Sequence, residues 1–386
     1  MKILSFGYDS NLLLPEDPRN EGQYRQRRYC ELLGQEKRFV VLDRDAPREE
    51  SVLAAGRVRS YGAAGRSLWT RCRSAHRLGL EIGREFRPDI VEYQDPRIVG
   101  WVAWRVARRL GVPLVGGLFN DFIDDARWLA GSPGRRLLNA QAKLVLAKSR
   151  GVRCDSARTT EALRAKGFAN LRHVPFFVPW LERFAVDDEA QRQRLRRWAE
   201  DPLVLCVARL AREKNLPLLL RALARATGAA GRGRLVLVGA GSERQPLERL
   251  AADLGIAART RFAGAVDYFA LPEHYRAASI FALSSDSETS ARVLILAQAA
   301  RLPTVTTATS GSAEIVADRS TGFVTPLGDE AAFADRLALL VADEAAYRAQ
   351  LAARFEALDR FGESAITTGL RAFYESLHVE PTDRAA

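Results

Sequence analysis

Short apolar runs of strand length alternate with helix-period patterns from one end of this 386-residue chain to the other. Parallel α/β sheets require that alternation, because each parallel strand needs a crossover helix to bring the chain back to the same edge. In the first half, Lys2 to Phe6, Arg38 to Leu42, Asp89 to Tyr93, Pro113 to Leu118 and Leu171 to Val174 predict strands. Tyr24 to Leu33, Ser67 to Glu85, Val99 to Leu110, Arg135 to Lys148 and Arg158 to Lys166 predict the helices between them. The alternation breaks at Pro175-Phe176-Phe177-Val178-Pro179-Trp180, where two prolines oppose helix and mark an interdomain hinge. After a charged helical stretch to Glu200, strands are expected at Leu203 to Ala208, Arg234 to Val238, Ile280 to Leu283, near Thr304 to Thr306 and near Gly322 to Val324. Helices are expected at Leu216 to Ala226, Ser242 to Leu254, Val293 to Ala300 and after Glu330 and Glu344. The length exceeds one ordinary core, so the expected α/β architecture is two doubly wound, Rossmann-like domains facing across a cleft. Their bounds are 1-180 and 181-360, with a last helix and tail, 361-386, crossing back to the first domain.

An apolar content of 47% with 27% charged residues marks a globular chain, and no uncharged apolar run is long enough for a spanning helix. The start, Met1-Lys2-Ile3-Leu4-Ser5-Phe6-Gly7, reads as a strand without a long apolar leader, so a cytoplasmic protein is expected. Cys30, Cys72, Cys154 and Cys206 stand far apart, as reduced structural thiols would. The net charge of +11 is carried by the first half: residues 1-180 hold 32 Lys and Arg against 20 Asp and Glu, the remainder 26 against 27. The densest run, Arg57, Arg59, Arg66, Arg71, Arg73 and Arg77, has no acid between Ser51 and Leu80 and is interleaved with Leu68, Trp69, Leu78 and Leu80. Two readings stay open there: a solvated helix, or a segment that lies on an anionic membrane surface, placing the protein peripherally at the inner face of the membrane.

Ligands of open parallel sheets bind beyond the carboxyl ends of the strands, so the residues after each strand matter most. Val207-Ala208-Arg209-Leu210-Ala211-Arg212-Glu213-Lys214 ends a strand with two cations five residues apart, a guanidinium fork and a point charge suited to a diphosphate or simply a charged loop. Gly239-Ala240-Gly241 forms a strand-turn-helix corner open to close backbone approach, without the third glycine of a dinucleotide fingerprint. Ser284 to Arg292 closes another strand with small polar residues, and a helix begins around Ala291 to Val293, whose exposed N–H groups favour an anion. Glu288 just upstream can accept hydrogen bonds from sugar hydroxyls, or cap the helix.

The order Arg209 with Lys214, Gly239-Ala240-Gly241, Gly264, Tyr275 with Ala277-Ala278-Ser279, Ser285 and Glu288, Leu302-Pro303-Thr304-Val305, Gly311, Glu314-Ile315-Val316 and Thr321-Gly322 resembles glycosyltransferase family 4 over roughly 203 to 340. Gln94-Asp95-Pro96, Gly111-Val112-Pro113-Leu114 and Asn120-Asp121-Phe122 extend the resemblance into the first half. It implies a GT-B fold and a retaining hexosyltransferase, with the donor in the C-terminal domain and the acceptor on the N-terminal one. No metal or other cofactor is implied, because Arg and Lys neutralise the departing diphosphate. Carried over residue by residue, Arg209 and Lys214 hold the diphosphate together with Gly239, Gly241 and the backbone of Ser290, Ala291, Arg292 and Val293. Glu288 meets the transferred sugar, Asp121 is the polar candidate from the first domain, and Gly22 and Asn120 belong to the acceptor or donor loop. The partners implied are a nucleotide sugar and a glycan or lipid-linked acceptor, with no nucleic acid.

Three positions depart from the pattern. A second Glu, eight residues after the first, usually accepts the ribose hydroxyls; here that position is Leu296. A His often stands two residues before the Asp-Phe pair, where this chain has Phe119, and Arg301 replaces a usual Gly. Hexose transfer to a cell-envelope or polysaccharide acceptor is the leading reading; the alternative is a non-catalytic glycosyltransferase-like protein that binds a partner enzyme or a glycan.

Overall fold

The computed structural model describes residues 1–44, 50–119, 122–185, 202–227, 231–288, 290–343, 347 and 358–378. It divides into two compact units, Met1–Pro179 with Glu363–Ala386, and Trp180–Gly362. The charged stretch read as helix up to Glu200 and the helix expected after Glu344 fall mainly on residues outside that description.

The first unit holds β1 (Lys2–Gly7), β2 (Glu36–Val41), β3 (Ser51–Leu53), β4 (Val58–Gly62), β5 (Ile90–Tyr93), β6 (Leu114–Leu118), β7 (Gly151–Cys154) and β8 (Leu171–His173). They form one sheet in the order β3-β4-β2-β1-β5-β6-β7-β8, parallel except where β3 meets β4. Around it lie α1 (Glu21–Leu33), α2 (Leu68–Phe86), α3 (Ile98–Leu110), α4 (Ala126–Leu129), α5 (Pro133–Lys148) and α6 (Ala157–Ala165). Val58 and Ser60 of β4 point inward and are fully buried, while Arg59 pairs with Glu50 at 3.1 Å. The basic run is therefore not one helix: Arg59 lies in a strand, Arg66 in a loop, and only Arg71 onward in α2. Alternating burial of small and charged residues explains why β4 was not expected, since arginine masks the period of two.

The second unit holds β9 (Leu203–Val207), α7 (Leu216–Thr227), β10 (Arg234–Val238), α8 (Arg244–Asp253), β11 (Thr260–Gly264), α9 (Leu271–Ala277) and β12 (Ile280–Leu283). It continues through α10 (Arg292–Ala299), β13 (Thr304–Thr307), α11 (Ser310–Ile315), β14 (Gly322–Thr325) and α12 (Glu330–Ala342). The all-parallel order β11-β10-β9-β12-β13-β14 reverses direction between β9 and β12. β9 and β12 are buried along their whole length, as both faces of a doubly wound sheet must be.

A last helix, α13 (Glu363–Glu375), belongs to the first unit. Ile366, Leu370 and Phe373 pack with Ile3, Ile90 and Val115 of the sheet. Arg28 of α1 grips Glu363 with Nε and Nη2 at 2.8 and 2.7 Å, and this holds the Glu363 carboxyl below its ordinary pKa. Tyr374 donates to Glu92 Oε1 at 3.0 Å in a layer where Ser5 and Lys37 also face that carboxylate.

Candidate functional site

The reversal between β9 and β12 opens a crevice at the carboxyl ends of those strands, and the loops leaving them carry the cations and the acid singled out in the sequence. After β9 the chain runs past Arg209 and buried Leu210 into a single 3-10 turn, Arg212–Lys214, and Asn215 follows with φ 43°. Lys214 Nζ lies 2.5 Å from Glu288 Oε1, and each side chain is only 14% exposed. Ser285 Oγ donates to the same Oε1 at 2.9 Å, and Gly311 N donates to the Glu288 carbonyl at 2.8 Å. Ser284 Oγ donates to Lys214 O at 3.0 Å, Asn215 Nδ2 to Asp286 Oδ1 at 3.0 Å, and Asp286 N to Glu213 O at 2.9 Å. Four of these hydrogen bonds fix one loop against the other, and those from Ser285 and Gly311 brace Glu288, so the ammonium and the carboxylate are held rather than free to wander.

Arg209 differs from Lys214. Its side chain is 74% exposed and meets Glu213 Oε1 at 2.7 Å, an i,i+4 surface pair worth about 0–1 kcal/mol that a doubly charged ligand would displace. Glu213 and Asp286 were not singled out in the sequence; the four-residue spacing from Arg209 to Glu213 was the available signal for the first. Cys206 lies on β9 near Lys214 and Glu288, and burial pushes its thiol up to about 12, so it stays a neutral packing group.

Gly239 and Gly241 sit beside this loop. A Cβ on Gly239 would lie 1.9 Å from Ala208 O, and one on Gly241 2.2 Å from Leu210 O. Leu210 N donates to Ala240 O at 2.9 Å and Glu243 N to Leu210 O at 3.0 Å. The absent side chains let the glycine corner lie flush against the Arg209 loop, so their first effect is to shape that loop. Ser290 O accepts from Arg292 N at 2.8 Å, and α10 starts at Arg292 with buried Ala291 as its N-cap. Among the described residues no side chain caps that start; the Arg292 amide is taken by Ser290 O, and the backbone donor of Val293 stands where an anion can use it. Leu296 is 3% exposed on the inner side of α10, where it is core rather than a ribose acceptor.

In the first unit, Gly22 occupies the first turn of α1 rather than a loop, with its Cα against Asp9: an added Cβ would meet Asp9 Oδ2 at 2.9 Å. Phe119 packs on Phe176 in a tilted pair with ring centroids 4.6 Å apart, and the Arg153 guanidinium covers both rings. Asp9, Gln94, Phe119, Arg153 and Phe176 help line a cavity of about 160 Å³ that begins near the β1–β5 reversal of this sheet. Asn120 and Asp121 lie outside the described residues. A cavity of about 150 Å³ in the second unit, under α9, is mostly apolar and shares no residue with the Lys214 site. No cluster of three metal-ligating side chains occurs among the described residues.

Residues 187–358 match the family Glycosyl transferases group 1, and residues 22–177 match the Glycosyl transferase 4-like domain. A GDP-mannose-dependent alpha-mannosyltransferase of Mycobacterium tuberculosis is 31% identical over 80% of this chain and 78% of its own. A D-inositol 3-phosphate glycosyltransferase of Frankia alni is 33% identical over 80% of each chain. Among solved structures, sucrose-phosphate synthase from Thermosynechococcus elongatus superposes with a TM-score of 0.83 at 20% identity, covering 98% of this chain and 99% of that one. Anabaena HepE in complex with UDP gives 0.75 at 16% identity, covering 97% and 100%. These likenesses show the fold, which is GT-B.

Proposed function

The chain belongs to the group 1 glycosyl transferases, of the family 4 type, and uses a nucleotide sugar; from that premise we propose that it moves a hexose, with retention of anomeric configuration, onto a cell-envelope or polysaccharide acceptor, lipid-linked in the favoured case. The observation that supports this reading most is the Lys214–Glu288 pair set beside the uncapped start of α10. An ammonium has three donors, and Glu288 takes one, which leaves two for phosphate oxygens. Arg209 adds a planar fork and the start of α10 adds the Val293 amide, so the leaving diphosphate is neutralised by protein donors, and on this reading no divalent metal is required.

Both side-chain bonds to Glu288 fall on Oε1, which leaves Oε2 to accept from a sugar hydroxyl. As the acceptor oxygen bonds to the anomeric carbon, the bond to the diphosphate breaks on the same face and the diphosphate keeps the electron pair. The acceptor proton passes to the departing phosphate oxygen. The protein's part is positioning and charge stabilisation. Asp121 is kept as the acid of the first domain, and the Asp9–Arg153 cavity as the region that takes the acceptor. The relative's use of GDP-mannose makes that donor the first to try. Mass spectrometry of a panel of nucleotide sugars tests the proposal: one donor should be consumed with release of its nucleoside diphosphate, and consumption of none would overturn it.

Leu296 buried on α10 and Phe119 packed against Phe176 favour one second reading, a glycosyltransferase-like binding protein without turnover. Calorimetry with UDP, GDP and ADP separates the two, since that reading requires that none binds at millimolar concentration.

A further inference from the structure

The helix layer α2, α3 and α5 on one face of the first unit's sheet carries 11 Lys and Arg against two acids, Glu81 and Glu85. α2 packs on α3 and α3 on α5. Each follows a parallel strand, so all three start at the carboxyl end of the sheet, the end at which ligands bind. Glu81 and Glu85 lie in the last turns of α2, at the opposite end. The starting end also carries large exposed apolar side chains: Leu68 and Trp69 in the first turn of α2, 44% and 67% exposed, and Leu137 near the start of α5, 72% exposed. With α3 between them, the two apolar points stand about 20 Å apart, two helix spacings of about 8–10 Å.

Cations flank both points. Arg66 precedes α2, the Arg73 guanidinium lies 5.5 Å over the Trp69 ring, and Arg135 and Arg136 stand beside Leu137. Two acids at this end are already engaged: Asp95 by Arg97 at 2.6 Å, and Asp124 by Lys143 at 3.0 Å. An acidic protein or a nucleic acid would satisfy the charge but offers no reason for an exposed tryptophan and leucine on either side of it. Aromatic and aliphatic tips ringed by arginine match the boundary between anionic head groups and acyl chains.

We propose that this rim docks on an anionic lipid surface, with Trp69 and Leu137 entering the head-group boundary and Arg66, Arg73 and Arg136 meeting lipid phosphates. The ligand end of the sheet is thereby held toward the membrane, where the head group of a lipid-linked acceptor lies; that consequence rests on the transferase reading, whereas the docking does not.

The test is cosedimentation of the full chain with vesicles of phosphatidylcholine alone and of phosphatidylcholine mixed with phosphatidylglycerol, in low salt and at about 0.5 M salt. Pelleting is expected only with the anionic vesicles and is expected to fall in high salt. At about fivefold per arginine, from about 1 kcal/mol per cation near an anionic leaflet, the triple variant Arg66→Gln, Arg73→Gln, Arg136→Gln should partition roughly a hundredfold more weakly. Trp69→Ser with Leu137→Ser should also weaken it. All five positions face solvent, so the melting temperature of both variants should match the parent. Equal pelleting by neutral and anionic vesicles, or parent-like pelleting of both folded variants, overturns the docking surface. Hydrolysis of a nucleotide sugar in the absence of vesicles is read alongside: it should be unchanged in both variants, and its absence from the parent would remove the transferase reading while leaving the pelleting result to stand alone.

Discussion

Lys214 Nζ and Glu288 Oε1, 74 residues apart in the sequence, meet at 2.5 Å and tie the loop after β9 to the loop after β12. Two residues read separately, one for the diphosphate and one for the sugar, are therefore a coupled pair. Lys214→Ala should abolish transfer and also lower stability by about 2 kcal/mol, because a mostly buried carboxylate loses its counter-ion. Adding Glu288→Gln should return part of that stability without returning activity. Thermal melts and rates on the two single variants and the double variant check both statements, and a Lys214→Ala variant with an unchanged melting temperature would show the pair to be idle.

Arg209→Ala separates binding from stability. The side chain is 74% exposed and its one described partner is Glu213, so the melting temperature should not change. Loss of a charged donor to the leaving diphosphate should nevertheless lower kcat/KM by about 10²–10³. The result that counts against the assignment is a stable variant with parent-like kinetics.

Gly239→Ala and Gly241→Ala each place a methyl group about 2 Å from a backbone carbonyl, of Ala208 and Leu210 respectively. Relief requires the Arg209 loop to move, so each should cost at least about 2 kcal/mol and weaken nucleotide binding as well. Chemical denaturation with a parallel binding titration reads both effects.

Arg301 follows α10 with φ 53°, and Leu302 N returns to Ala297 O at 2.9 Å, the geometry of a helix end that favours glycine. That is the physical reason a glycine is usual there. Arg301→Gly should stabilise the second unit by about 0.5–1 kcal/mol after the extra chain entropy of glycine is counted, measurable as a higher denaturation midpoint.

The Arg28 clamp keeps Glu363 ionised to lower pH than in an unfolded chain. A carboxylate with a depressed folded pKa contributes stability above its unfolded pKa and loses it as pH falls through the folded one. The difference in stability between parent and Glu363→Gln should be constant near neutrality and shrink as pH drops below the ordinary glutamate range of about 4.3. Denaturation midpoints across that range, compared with Arg28→Ala, decide whether α13 is held in this way.

Much of the fold was legible because apolar strands are continuous: Leu203 to Val207 and Arg234 to Val238 stand out without context. The strands not foreseen are those whose composition hides the pattern, such as β4, where partly buried Arg59 and Tyr61 alternate with buried Val58 and Ser60, and β11, which lies on the sheet edge and is only partly buried. At the site, strand-end position marked Arg209, Lys214 and Glu288, but no spacing rule links Lys214 to Glu288. Their meeting depends on β9 and β12 being neighbours, which is a property of sheet order. The glycine corner was legible as a close approach; that the nearest backbone belongs to Ala208 and Leu210 could be known only from the packed loops.

The central claim is that the β9–β12 crevice binds a nucleoside diphosphate through Lys214 and Arg209. Calorimetric titration of GDP and UDP, with EDTA present, into the parent and into Arg209→Ala tests it directly. The account predicts saturable, metal-independent binding of at least one nucleotide that is weakened at least tenfold in the folded variant. Absence of binding by both nucleotides, or equal affinity in parent and variant, would contradict it.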